Sequence, residues 1–198
     1  MIELPPLPAP NGATPALIDY GGTLRSPLGG PALRVNRPGS RYRLAFTFPP
    51  CASANEGRVF VSRLIRAKRV GLRMPYPLLS AHQPVAGDPV VDGAGQSGLT
   101  LAVRGLQPGT TVREGFWLSI ENTTGQHYLH NVAASVMAGS DGKATLTIEP
   151  MLRRPFADGC RIHLARPMIE GFVEGDEWQW SLYLDHNIGI EVAIEEAG

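Results

Sequence analysis

The chain lacks the features that mark several large classes of protein. It has two cysteines in 198 residues, Cys51 and Cys160, too few for a disulfide framework, so both read as buried free thiols. No apolar run approaches the roughly 18–20 residues that span a bilayer, so no membrane partner is expected. The opening MIELPPLPAPNG has no basic n-region and no apolar h-region, and the expectation is a protein made and folded in a cytoplasm. Charged residues are scarce at 18%, aromatics make 7%, and the formal net charge is zero. The hydrophobic fraction of 43% still suffices for a core in one or two domains.

Glycine and proline, by contrast, are plentiful. Together they supply 41 residues, well above the usual share of about 12%. That density implies many turns between short elements and points to a mainly β chain. The zero net charge hides a sorting by position. Residues 1–73 carry eleven Lys/Arg against three acids, a net of +8, whereas residues 170–198 carry eight acids and no Lys or Arg, a net of −8. The middle holds seven of each. A basic head and an acidic tail can pair within one subunit, or head to tail between subunits, which closes into a ring when the rotation allows.

The proline-rich start, with Pro5, Pro6, Pro8, Pro10 and Pro15, predicts an extended arm over 1–20, barred from central strands because proline lacks a donor. Arg41–Phe48 alternates with period two: Tyr42, Leu44, Phe46 and Phe48 point one way, Arg41, Arg43 and Thr47 the other. Pro49-Pro50 is expected to end that strand. From Asn55 to Val70, Phe60, Leu64 and Ala67 recur at helical spacing, with Gly71 as a stop and Arg58, Arg63, Arg66, Lys68 and Arg69 on the polar side. Residues 76–98 read as a linker. Five strand patterns follow, over 99–103, 116–120, 127–137, 144–148 and 161–165, and predict a small closed barrel, because closure protects strand edges. The chain ends in two further strands, 178–184 and 188–194, the last with Ile188, Ile190, Val192 and Ile194 on one face.

The expected fold is therefore mainly β. A discontinuous β-sandwich domain with one α-helix spans 1–84 and 167–198, and a small OB- or galectin-like β-barrel spans 85–166; a single large sandwich is the alternative. The expected subunit interface joins the basic residues Arg41, Arg43, Arg63, Arg66 and Arg69 to the acidic Glu174, Glu177, Glu191 and Glu195.

No motif carries chemistry through scrutiny. Gly93-Ala-Gly-Gln-Ser-Gly98 matches G-x-G-x-x-G, but a strand follows it where a dinucleotide site needs a helix, so it reads as a turn. His127 and His130, three apart on a strand, point to opposite faces and bring no third metal ligand with them. Asp176, Glu177 and Asp185 read as a solvated face, and Ser26, Ser62 and Ser119 lack a nucleophile-elbow setting. Asn122-Thr-Thr124 reads as a turn. The basic helix has no groove-reading motif, so sequence-specific nucleic-acid binding is not expected. Trp178 and Trp180 share one strand face; buried they are plain core, the commoner outcome, and exposed they form a platform for a sugar or protein ligand. No catalytic, cofactor or metal site is expected, and an enzyme is the least favoured class.

Three stretches resemble the tail-tip proteins of tailed phages. They are Ser26-Pro-Leu-Gly-Gly30 with Asn36–Pro50 before a helix, Gly93–Leu101 with Val112-Arg-Glu-Gly-Phe-Trp-Leu-Ser-Ile120, and Gly142-Lys-Ala-Thr-Leu-Thr-Ile-Glu-Pro-Met-Leu-Arg153. The order is similar to that of siphophage and prophage distal tail and minor tail proteins. The resemblance implies a structural role in the virion, assembled in the host cytoplasm, as a hexameric ring joining the tail tube protein to baseplate hub or tail-fibre proteins. A receptor- or glycan-binding tail module, or another connector or tail-terminator ring, is the alternative.

Overall fold

The computed structural model describes residues 1–6, 8–54, 56–78, 83 and 87–197, and over these the chain is mainly β with one helix and a closed barrel. It divides into two compact units, each assembled from separated segments.

The first unit comprises Met1–Ala16, Tyr42–Ser80 and Met168–Ala197. Its sheet runs β1 (Ile2–Glu3), β6 (Leu72–Pro75), β15 (Met168–Val173), β17 (Asn187–Glu196), β5 (Arg41–Ala52) and β2 (Gly12–Ile18), with β16 (Trp180–Leu182) also paired to β17. The period-two patterns of β5 and β17 meet in register: Leu44 lies opposite Ile194, Phe46 opposite Val192 and Phe48 opposite Ile190. Their shared apolar face is buried, and the helix α1 (Glu56–Val70) buries Phe60, Val61, Leu64 and Ala67. Phe48 meets Phe60 edge to face at 4.8 Å between centroids. Gly71, at φ +86°, ends the helix in the left-handed conformation that glycine adopts without a Cβ penalty. The expected helix start at Asn55 lies outside the described residues.

One proline expectation changes and the other keeps its terms. The β5 strand does not stop at Pro49-Pro50 but runs on to Ala52. Its partner register moves from Ile190↔Phe48 to Ile188↔Cys51, so Pro49 and Pro50 together face Gly189 in a bulge that asks no N–H of them. The N-terminal arm lies on its own sheet: β1 pairs in parallel with β6 at one edge and β2, containing Pro15, forms the other. An edge strand tolerates the missing donor.

The second unit comprises Leu17–Arg41 and Ala81–Pro167. The barrel closes in the order β10 (Trp117–Glu121), β11 (His127–Val132), β13 (Ala144–Leu152), β8 (Gly98–Leu106), β7 (Gly87–Val91) and β14 (Arg161–His163). Leu101, Val103, Leu118, Ile120, Tyr128, Leu146 and Ile148 form its fully buried interior. The sixth strand, β7, falls inside the expected linker. It was hidden by Pro89, which sits where the β7–β8 register slips between Gly87 and Val90. A short ribbon pairs β9 (Thr111–Val112) with β12 (Val136–Met137), and a hairpin pairs β3 (Gly22–Leu24) with β4 (Leu33–Val35). That hairpin segment was expected in the flanking domain. Instead Leu17, Asp19, Arg34 and Ser40 share a pocket with Leu99, Glu149 and Pro150 of the barrel unit. The second expected boundary falls between Pro167 and Met168, while the expected 84/85 boundary lies outside the described residues.

Candidate functional site

Part of the charge sorting of the sequence resolves within the first unit, where Arg43 and Arg73 meet tail acids. Strands β5 and β17 are neighbours, and Arg43 lies directly across from Glu195. Arg43 Nε also reaches Glu174 Oε2 at 2.6 Å. On β6, Arg73 Nε holds the buried Glu170 of β15 at 2.5 Å, and Glu3 lies within 3.5 Å of the same guanidinium. Lys68 donates to the carbonyls of Val173, Glu174 and Gly175, and Arg63 donates to the Glu3 carbonyl at 2.8 Å. Glu196, itself buried, accepts the Tyr42 N–H at 2.8 Å. Arg41 belongs to the second unit, where it stacks over the Tyr20 ring at 5.1 Å and donates to its hydroxyl. Of the expected interface residues, Arg66, Arg69, Glu177 and Glu191 are left exposed and make no ion pair among the described residues.

The Trp pair is on the surface rather than in the core. Trp178 is half-buried and Trp180 exposed, and their indoles stack with centroids 5.1 Å apart and planes 27° from parallel. Trp178 Nε1 donates to the Glu191 carbonyl at 2.7 Å, which fixes the stack against β17. Every residue of β16 is exposed, and the hairpin tip carries Leu182 at 72% and Leu184 fully in solvent. His186, at φ 66°, and Asn187, hydrogen-bonded to Asp185, shape the turn. Between this hairpin and α1 lies a groove of about 480 Å³. Val61, Ile65, Trp180 and Leu182 supply its apolar lining, with Arg58 and Arg66 beside them. A contiguous apolar surface of this kind is uncommon on a solitary soluble domain.

Within the barrel the two histidines separate as the alternation requires. His130 points inward and is fully buried, with Nδ1 donating to the Pro150 carbonyl at 2.9 Å and Nε2 without a hydrogen-bond partner among the described residues. Burial, aided by the charge of Arg153, pushes its pKa down to about 3. The unfolded chain takes up this proton near the ordinary value of 6.5, while the folded chain resists until about 3. The stability from the neutral imidazole is thus complete above pH 6.5 and is lost as pH falls toward 3. At pH 4.5 the loss is on the order of 2–3 kcal/mol from this one group. Urea melts between pH 7 and pH 4.5 should show that slope, and a His130→Leu variant, weaker at neutral pH, should show it flattened; equal slopes would refute the assignment.

His127 lies on the outer face, and the structure corrects the expectation that no third ligand sits near it. Glu121 is its direct cross-strand partner, and His163 joins from β14, so that one ligand atom from each of the three lies within 4.8 Å of the others. His163 Nε2 donates to Glu121 Oε2 at 2.8 Å, a bond that holds the Glu121 carboxyl below the usual carboxylate range. Ser119 Oγ sits 3.2 Å from His127 Nδ1 but is fully buried, so it can orient the ring and cannot meet a substrate. Sequence reading missed this cluster because its members are 6 and 36 residues apart and only barrel closure joins them; the pairing of β10 with β14 was the absent signal.

The remaining motifs are structural. Gly93, Gly95 and Gly98 all have positive φ and build the turn into β8, where the Gln96 side chain bridges the Asp92 carbonyl and the Ala102 N–H. Asn122 Oδ1 accepts from Thr124 and Gln126, closing a tight turn. Arg104 clamps Asp92 and Asp158, whose carboxyl is driven down to about 2 by that guanidinium. Among the described residues no helix is long and apolar enough to cross a membrane. No protein-family model matches the chain, and no curated protein matches it.

Proposed function

We propose that this chain is a structural, self-assembling component of a phage tail tip, of the distal-tail kind, whose working state is a closed ring. The observation that carries the reading is the exposed hairpin of Trp180, Leu182 and Leu184 beside the apolar groove along α1. The hairpin tip is apolar and acidic, with Leu184 exposed and Asp185 at the turn; the groove, which Trp180 and Leu182 line together with α1, is apolar and holds Arg58 and Arg66. The tip of one copy therefore complements the groove of the next. Such a contact joins two different surfaces, and repeated copies close into a ring when the rotation per step allows. The sequence resemblance supplies the hexameric order and the neighbours, a tail tube protein on one face and hub or fibre proteins on the other.

The intrasubunit pairs of Arg43 and Arg73 narrow the electrostatic part of this interface to Arg58 and Arg66 against Asp185. Removing residues 188–198 would be a poor test, because β17 pairs with β5, β15 and β16 and its loss dismantles the sheet. Point changes on the surface are cleaner. Mass photometry of the wild-type protein should show one closed assembly, and Leu182→Ser/Leu184→Ser or Arg66→Glu should return it to monomers with an unchanged melting temperature. A wild-type chain that is monomeric at micromolar concentration, or rings that survive both variants, would defeat the proposal. Raising salt should weaken assembly only partly, since the contact is largely apolar. A glycan-binding reading is less well supported: the two indoles stack on each other, and one of them is half-buried against β17.

A further inference from the structure

We propose that Glu121, His127 and His163 form a binding site for a divalent transition-metal ion of the zinc class on the outer wall of the barrel. This inference is independent of ring assembly and concerns the second unit alone.

The placement follows from strand register. In β10, Leu118 and Ile120 fill the barrel interior, so Ser119 and Glu121 face outward. Glu121 pairs with His127 of β11, and Ser119 pairs with His163 of β14, which sets His163 diagonal to Glu121 on the same face. Three adjacent strands thus deliver two imidazoles and one carboxylate to one spot. The imidazole rings lie 4.9 Å apart between centroids, and the Glu121 carboxylate reaches His163 directly.

The donor set selects the ion. Two imidazoles and one carboxylate suit zinc and its first-row neighbours, whereas calcium and magnesium require a shell of oxygens that this site does not offer. Zinc bonds of about 2.0–2.2 Å in tetrahedral geometry place neighbouring ligand atoms roughly 3.4 Å apart. The spacing here, up to 4.8 Å, must therefore contract, while the 2.8 Å bond between Glu121 and His163 must open slightly. The burial pattern permits both movements. His127 is buried, with Ser119 at its Nδ1, and acts as the fixed ligand. Glu121 and His163 are about one-third exposed and can change rotamer. Ser119 then supplies the hydrogen bond that ordinarily orients a ligating imidazole.

Access is also built in. His163 lines an open surface groove of about 540 Å³ with Asp88, Arg161 and Arg166, which gives an ion a path from solvent and leaves a coordination position for water. Bound there, the ion would staple β11, β10 and β14, three consecutive strands of the barrel wall.

The test uses the full chain after treatment with chelator. Calorimetric titration with zinc should saturate at one ion per chain with a dissociation constant below about 10 μM, and cobalt should give visible d–d absorption of a site with nitrogen and oxygen ligands. A hundredfold excess of zinc over that constant should raise the melting temperature by about 5–10 °C. His163→Ala and Glu121→Gln, at partly exposed positions where folding is retained, should each weaken binding at least about tenfold. His186→Asn, in the turn of the first unit, should leave it unchanged. No saturable binding at about 1 mM zinc would overturn the proposal. So would binding that persists undiminished in His163→Ala and Glu121→Gln, or that vanishes in His186→Asn.

Discussion

Replacing Arg73 with methionine should destabilise the first unit by about 3–5 kcal/mol, the cost of leaving a buried carboxylate without its cation. Glu170 is 2% exposed, and Arg73 stands directly opposite it across the β6–β15 ladder with Nε at 2.5 Å. Glu3 also lies near this guanidinium, at 3.5 Å, but it is well exposed and water serves it when Arg73 is gone. The two acids thus have different stakes in one arginine, and the expected loss comes almost entirely from Glu170. The double variant Arg73→Met/Glu170→Met removes both charges and should recover most of the loss, since paired apolar side chains of similar size replace a buried ion pair at little cost. Urea denaturation of the single and double variants gives the two numbers. Equal losses in both would show that the arginine stem, and not its charge, matters at this position.

The same pair shows what could be read from sequence. Alternation alone gave the buried faces of β5 and β17, and helical spacing gave the buried stripe of α1, because each depends on residues two to four apart. The opposite charges of head and tail were visible too. Their pairing was not: Arg73 and Glu170 are 97 residues apart, and only the order β6–β15–β17–β5 makes them neighbours. Prolines misled in one direction. Pro49, Pro50 and Pro89 lack donors and normally end strands, yet each lies inside one at a register slip that leaves no ladder bond for it to make. The Trp pair misled in the other, since two large rings on one strand face usually mean core. Here only Trp180 lies in β16, opposite Ile190 of β17 on the α1 side of the sheet, and α1 leaves an open groove beside it, so the indole stays at the surface.

Gly171 carries the second large expected effect: Gly171→Ala should cost about 3 kcal/mol or more and open the β15–β17 ladder. A Cβ there would overlap the carbonyl oxygen of Glu195, a backbone atom of the adjoining strand. Strand β15 cannot step aside, because Gly171 is held on its other side by the pairing with Leu72 of β6, and Val173 is registered to Ile194. Overpacking with side chains that can rotate typically costs about 1–3 kcal/mol, and a clash of backbone with backbone removes that relief. Gly12 supplies the contrast. A Cβ there meets only the Thr47 hydroxyl, which a rotation about χ1 carries away, so Gly12→Ala should stay within about 1 kcal/mol of the parent. Hydrogen exchange adds a spatial readout: in Gly171→Ala the amides of Phe172 to Val173 and Ile194 to Glu196 should lose protection, while those of the barrel strands keep theirs. Full protection across β15 and β17 would mean that the strands accommodate a methyl group. The effect also reaches assembly, because the hairpin that presents Leu182 and Leu184 is fixed to the sheet through β17 alone among the described strands. A chain that loses the β15–β17 ladder should therefore fail to form rings even though every residue of the proposed contact surface is intact.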